Sequence, residues 1–195
     1  GFSRAPHTLA SFHEFLDGTI IKKGHRHPPD VIKQFLEQTF YVQGLFEDPK
    51  SYERLAESLI ALDGTFGQCS NKLFYLATPP TLYKTIFENL AHSGLTIPCA
   101  GEAGWTRVLV EKPFGKNLHT AQDLDILLGL LFKEDQIFRI DHYLAKETIQ
   151  NILAFRFSNS IFEAVWTAQY IEKVEIKLWE EMGIEDRGAF YDAIG

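Results

Sequence analysis

Two short segments concentrate the residue types that do chemistry. The first is Glu111-Lys112-Pro113-Phe114-Gly115, which follows the β-branched and aliphatic run Val108-Leu109-Val110. The run reads as a strand, and in open α/β sheets ligands collect beyond the carboxyl ends of strands. Lys112 there is placed to meet an anion or a hydroxyl, Pro113 would fix the backbone by a trans or a cis bond, and Gly115 would relieve the turn. An ordinary strand-to-helix turn with a solvated lysine explains the same pattern. The second segment is Arg139-Ile140-Asp141-His142-Tyr143-Leu144-Ala145-Lys146-Glu147, again at the end of a short apolar run. Asp141, His142, Tyr143 and Lys146 are all able to bind phosphate or hydroxyl groups. They fall where a strand passes into a helix, whose first amides favour anions. His142 and Lys146, four apart, would share a face if both were helical. A lone histidine is more often structural, but a cluster at a strand end points to a site whose ligand the residues alone do not name.

The elements that must hold these segments follow from periodicity. Helical spacing marks His7 to Leu16, Pro28 to Phe46 (with Pro28 and Pro29 in its first turn), Ser51 to Leu62, Tyr83 to His92, Ala121 to Phe132 and Ala145 to about Phe157. Strands are predicted over Lys72 to Ala77, Arg107 to Glu111 and Gln136 to Ile140, and Phe2-Ser3 reads as the end of another. The alternation implies α/β organisation. Val174 to Leu178 alternates like a half-buried strand, with no evident partner, and suggests the opening of a second domain.

The 195 residues, 45% hydrophobic and 23% charged, have the composition of a globular chain. A net charge of -7 argues against a general nucleic-acid binder, while leaving room for a local phosphate pocket. No apolar run approaches the roughly 20 residues a bilayer requires, and Gly1 to Ala10 lack a secretory leader pattern. Cys69 and Cys99 show no metal-ligand spacing and read as buried thiols of a reducing, cytoplasmic compartment. No G-x-G-x-x-G or P-loop occurs.

The Asp-His-Tyr segment, joined to Glu-Lys-Pro-Phe-Gly, is very similar to the motifs of the glucose-6-phosphate dehydrogenase family. Tyr41-Val42-Gln43-Gly44, Phe74-Tyr75-Leu76-Ala77-Thr78-Pro79-Pro80, Gly104-Trp105-Thr106-Arg107, Arg156-Phe157-Ser158-Asn159 with Phe162 and Trp166, and Glu180 through Arg187-Gly188 extend the resemblance along the chain. It implies a truncated Rossmann-like NADP-binding domain over 1–141. The start of an α+β domain with a mostly antiparallel sheet, over 142–195, would follow. The implied reaction is NADP-dependent oxidation of glucose 6-phosphate at C1 to 6-phosphogluconolactone, in the pentose phosphate route.

The implied roles are these. Arg4 would recognise the cofactor's 2'-phosphate, as a planar guanidinium can. Tyr83 would line the nicotinamide side, and Lys112 would lie between cofactor and sugar. His142, Tyr143 and Lys146 would cradle the 6-phosphate, and Glu180 would hold a sugar hydroxyl. Asp141 would orient a catalytic histidine. Arg4 as a solvated terminal residue, Tyr83 as a core aromatic, and a one-residue slip between Glu180 and Glu181 are the plainer alternatives. No metal is implied, and the family forms homo-oligomers.

The chain departs from the family pattern at Ala145, where glycine is usual, which leaves a related sugar-phosphate oxidoreductase as an alternative. The family's glycine-rich loop belongs before Arg4 and its catalytic histidine after Gly195. On that reading the 195 residues alone would be inactive, and a non-catalytic binding module is the further alternative.

Overall fold

The computed structural model describes residues 1–24, 27–98, 104–177, 179 and 188. Five strands are described, all paired in parallel. β1 (Phe2–Ser3) pairs with β2 (Val42–Gln43), Phe2 opposite Val42. β3 (Lys72–Leu76), β4 (Thr106–Glu111) and β5 (Ile137–Ile140) form a second sheet in that order, with Leu76 opposite Val110 and Glu111 opposite Ile140. Helices follow the strands: α1 (Leu9–Lys22), α2 (Pro29–Glu37), α3 (Pro49–Phe66), α4 (Tyr83–His92), α5 (Leu118–Leu131), α6 (Glu147–Phe157) and the short α7 (Ser160–Glu163).

Strand β4 sets the centre of the core. Its alternation places Thr106, Val108 and Val110 on a wholly buried face, the period-2 signature of a strand covered on that side. Against it pack Phe87 and Leu90 of α4, Leu128 of α5 and Phe132 just past α5. Phe87 is fully buried and meets the Phe132 ring edge-on at 5.8 Å. The β1–β2 pair joins the core through Phe2, whose ring packs on Phe46 and Tyr52, and in the loop after β2 Phe46 O accepts from both the Tyr52 hydroxyl and Asn89 Nδ2, each at 3.0 Å. Two donors from α3 and α4 thus satisfy one buried acceptor and fix the two helices together. Gly44, after β2, is required by space, since a Cβ there would lie 2.4 Å from the Phe2 ring and 2.7 Å from Ser51 Cβ.

Several boundaries differ from expectation. The helix predicted over Pro28 to Phe46 ends at Glu37, and Val42–Gln43 is a strand. After the C-cap Gln38 come Thr39, Phe40 and Tyr41, β-branched or aromatic types that favour extended backbone. The Tyr41 hydroxyl bonds Ser3 O at 3.0 Å and Ala5 O at 2.5 Å, which anchors the strand beside β1. Helix α1 starts later and runs further than expected, because Thr8 and Ser11 form a reciprocal capping box. Asn117 with Thr120 caps α5 the same way. The strand expected from Val174 is not formed over its described residues. Positions 171–177 carry no regular structure, and Val174 and Ile176 are 73% and 83% exposed, without a neighbouring strand. The expected antiparallel sheet is therefore not seen: both described sheets are parallel.

Cys69, expected as a buried thiol, is disulfide-bonded, and no cysteine among the described residues is free. The inference from thiols to a reducing compartment loses its support. Cys99 lies outside the described residues. Among the described residues no helix is long and apolar enough to cross a membrane, and no group of three or more metal-ligating side chains converges.

Candidate active site

The parallel register brings the two motif segments side by side. Because Glu111 lies opposite Ile140, the residues just beyond, Lys112 after β4 and Asp141 after β5, emerge together at the carboxyl edge. The Lys112 ammonium donates to Asp141 Oδ2. Asp141 Oδ1 accepts the Tyr143 amide at 3.0 Å. The hydrogen bond from Lys112 is the main cause that holds the Asp141 carboxyl below the usual carboxylate range, so it is charged at neutral pH. The Lys112–Pro113 peptide is cis. Gly115 permits the next turn to lie against α5, since a Cβ would approach Ala121 N to 2.5 Å and Thr120 Oγ1 to 2.7 Å.

Beside this pair, the turn Ala77 to Pro80, with Tyr83, Glu111 and Lys112, lines a cavity of about 240 Å³. Thr78 Oγ1 is buried there without a hydrogen-bond partner. Such an orphan at a strand end commonly marks the place of a missing ligand or water. Tyr83 is 2% exposed, and its hydroxyl reaches Glu111 O at 3.4 Å. It is therefore both a core aromatic and a cavity wall. Burial raises its phenol above the ordinary value. A larger, mainly apolar cleft of about 800 Å³ lies between α4 and α5. It shares Pro79, Pro80 and Tyr83, but neither Lys112 nor Asp141 lines it.

The other expected residues fall as follows. His142 is exposed, with Nε2 3.9 Å from Glu111 Oε1. Tyr143 and Lys146 lie in the turn that precedes α6, the Lys146 ammonium 4.8 Å from the centre of the Tyr143 ring. The helix expected from Ala145 begins at Glu147, so His142 and Lys146 share a turn rather than a helical face. Arg139 bonds Glu134 at 2.7 Å and Asp125 at 2.6 Å, a bracing role on the protein surface. Arg4 stands apart, directly after β1 on the other sheet, exposed, with its guanidinium 5.8 Å from the Phe46 ring centre. Glu180 lies outside the described residues.

Three participants had no role assigned from sequence: Tyr75, Glu111 and Thr78. The Tyr75 hydroxyl donates to Glu111 Oε1, so this carboxylate is fixed at the edge of the cluster. Strand parity held the signal: Tyr75 pairs with Leu109, and Glu111 is two further on the same face. Thr78 carried no signal beyond its place after a strand.

The parallel sheet with ligand-type residues at its carboxyl edge defines a Rossmann-like, nicotinamide-dinucleotide-binding domain. Residues 1–151 match the family model "Glucose-6-phosphate dehydrogenase, NAD binding domain", and 153–195 match "Glucose-6-phosphate dehydrogenase, C-terminal domain". The chain belongs to the glucose-6-phosphate dehydrogenase family. It is 44% identical over 155 residues to glucose-6-phosphate 1-dehydrogenase 2 of Mycobacterium bovis, which covers 80% of this chain and 30% of the relative. It is 39% identical over 198 residues to the glucose-6-phosphate 1-dehydrogenase of Chlamydia muridarum, covering 100% and 39%. A solved glucose-6-phosphate dehydrogenase in complex with its substrate glucose-6-phosphate superposes with a TM-score of 0.79 at 32% identity, covering 100% of this chain and 40% of that one. The enzyme from Mycobacterium avium gives the same TM-score at 34% identity, with the same coverage. The chain thus spans two fifths or less of the length of these relatives.

Proposed function

We propose that this chain supplies the cofactor domain and one wall of the sugar-phosphate site of a glucose-6-phosphate dehydrogenase that oxidises glucose 6-phosphate at C1 to the lactone with NADP. The observation that carries the reading is the Lys112–Asp141 pair, set across the carboxyl ends of β4 and β5 beside the cavity that holds the unpartnered Thr78 hydroxyl. A buried, unpaired hydroxyl flanked by Pro79, Pro80 and Tyr83 suits a planar ligand with an amide group, which is the chemistry of a nicotinamide. Such a cofactor, when bound, accepts the hydride.

In this reading the residues act as follows. Lys112 holds the sugar between cofactor and base, and its ammonium favours negative charge that develops on the C1 oxygen. Asp141, held anionic by Lys112, orients an imidazole base contributed by the rest of the protein and stabilises its charged form. His142, Tyr143 and Lys146 supply donors to the 6-phosphate, and Glu180 accepts from a sugar hydroxyl. Arg4 takes the 2'-phosphate that separates NADP from NAD. Tyr83 closes the nicotinamide side. The division near residue 141, an α+β unit with an antiparallel sheet beyond it, homo-oligomer formation and a cytoplasmic location belong to the same proposal.

The test uses the protein of the full gene. Reduction of NADP and of NAD is followed with glucose 6-phosphate and with other hexose phosphates, in wild type and Arg4→Ala. The reading expects glucose 6-phosphate to be preferred. It also expects Arg4→Ala to lower the NADP-to-NAD ratio of kcat/KM by tenfold or more, the scale of a lost charge-assisted phosphate contact. No NADP reduction with glucose 6-phosphate overturns it.

A further inference from the structure

Basic side chains at the strand ends face carboxylates in crossed pairs. Lys112, just past β4, bonds Asp141, just past β5, while His142 lies 3.9 Å from Glu111, the last residue of β4. An acid and a base thus stand side by side at each strand end, Glu111 next to Lys112 and Asp141 next to His142, each facing its opposite type across the gap. Glu111 is not a loose surface acid. Its side chain is 31% exposed, and its Oε1 accepts the Tyr75 hydroxyl. That hydrogen bond is the main cause raising the Tyr75 phenol above its ordinary value, as expected for a donor held by an anionic acceptor. The Tyr83 hydroxyl approaches the Glu111 carbonyl, not its carboxylate. Lys146 differs from both pairs, because the contact made by its ammonium is the face of Tyr143.

We propose that Glu111 is the resident counter-anion of the phosphate cradle: fixed by Tyr75, it occupies the field of His142 until the phosphate of the substrate displaces it. The inference rests on the reading of His142 as a phosphate ligand. A phosphate that comes within hydrogen-bonding reach of His142 Nε2, 3.9 Å from Glu111 Oε1, enters the field of that carboxylate and is repelled by it. Glu111 therefore weakens phosphate binding and sets the affinity the substrate must reach. The rest of the sugar has to supply the difference, which favours a phosphorylated sugar over a free phosphate ion. Glu111 acts through His142 and makes no contact with reacting atoms, so it is a positioning residue.

This role has an unusual sign. Loss of a merely structural carboxylate weakens binding; loss of a competitor strengthens it. Calorimetry with inorganic phosphate on the full-length protein, at low ionic strength, reads the effect without turnover. Glu111→Gln keeps the size and an acceptor for Tyr75 but removes the charge. It should tighten phosphate binding about threefold to tenfold. The KM for glucose 6-phosphate should fall in parallel, and the gain should shrink at high salt. Tyr75→Phe releases the carboxylate from its place beside His142 and should tighten phosphate binding about twofold, less than Glu111→Gln does, as expected from one modest hydrogen bond. The double variant should behave like Glu111→Gln. Should Glu111→Gln fail to fold, the sign of the Tyr75→Phe effect still decides. His142→Ala separates the two levels: unchanged phosphate affinity there overturns the cradle and the inference with it. Weaker binding in His142→Ala, together with unchanged or weaker binding in Glu111→Gln, overturns the inference and leaves the cradle standing.

Discussion

The stretch up to β5 and the stretch after it are built from similar residues and end in opposite states. Among the described residues, every buried hydrophobic residue falls in the stretch from Phe46 to Ile137, and β4 contributes Val108 and Val110 with no exposed surface. Beyond β5, neither α6 nor α7 buries a residue, and Ile152, Leu153, Phe155, Phe157 and Ile161 are 44–80% exposed. Local aromatic contacts still form there, Phe155 stacking on Phe162 at 4.1 Å and meeting Trp166 at 5.8 Å. The difference shows that hydrophobic content does not make a core. The sheet lets apolar side chains of α4 and α5 meet a facing layer, whereas among the described residues α6 faces no such layer. The candidate-site segments sit at the junction: Lys112 and Asp141 are positioned by the packed sheet, while Tyr143 and Lys146 belong to the turn leading into the unpacked part.

The contrast can be broken or sharpened by substitution. The largest effect is expected at the sheet edge. Lys112→Ala in the full-length protein should lower kcat/KM by about a thousandfold, the scale of a removed charge that acts in the transition state. Steady-state kinetics measure it, and a fall under tenfold would detach the edge from catalysis. Next is the core, where Phe87→Ala should cost about 4 kcal/mol in denaturant unfolding. Slightly smaller is the pair that joins the end of α3 to β3. Lys72 Nζ lies 2.8 Å from Asp63 Oδ2, with side chains only 11% and 15% exposed. Asp63→Asn should cost about 3 kcal/mol.

The acid response of that pair has a definite sign. Hydrogen bonds from Lys72 and Ser70 lower the Asp63 carboxyl to about 2. A depressed carboxylate stabilises the fold above its unfolded value of about 4, and the contribution is lost as pH falls through about 2. The difference in stability between wild type and Asp63→Asn should therefore narrow from pH 4 to pH 2. The smallest effect is expected on α6. In the 195-residue chain Phe157→Ser should cost under about 1 kcal/mol, since the side chain is 64% exposed. A cost equal to that of Phe87→Ala would erase the contrast between the two regions.

What could be read from sequence follows the same division. The strands at Lys72, Arg107 and Gln136 and the helix Tyr83–His92 were legible because a buried sheet and its covering helix impose strict periods. The short β2 was not, since two residues carry no period and their extended form depends on Tyr41 reaching back to Ser3 and Ala5. Val174 to Leu178 had the right alternation, but alternation states only that a strand could bury one face. Within the site, Lys112 and Asp141 were evident from type and strand-end position. Their pairing came from the β4–β5 register, which no local pattern encodes. Glu111 was hidden by its neighbour: an acid beside a functional lysine reads as solvated until Tyr75 is seen to hold it. Cys69 shows the limit of spacing, because the spacing gave no reason to expect a disulfide.

The central claim, that the carboxyl ends of β4 and β5 form the chemical edge of a sugar-phosphate dehydrogenase, is tested most directly by kcat of Asp141→Asn. It is measured in the full-length protein at saturating glucose 6-phosphate and NADP. Asparagine keeps the shape but loses the charge that would orient and stabilise an imidazole base, a change expected to cost roughly 10³- to 10⁴-fold. A loss of that size with little change in the KM for NADP supports the account. A kcat within tenfold of wild type contradicts it.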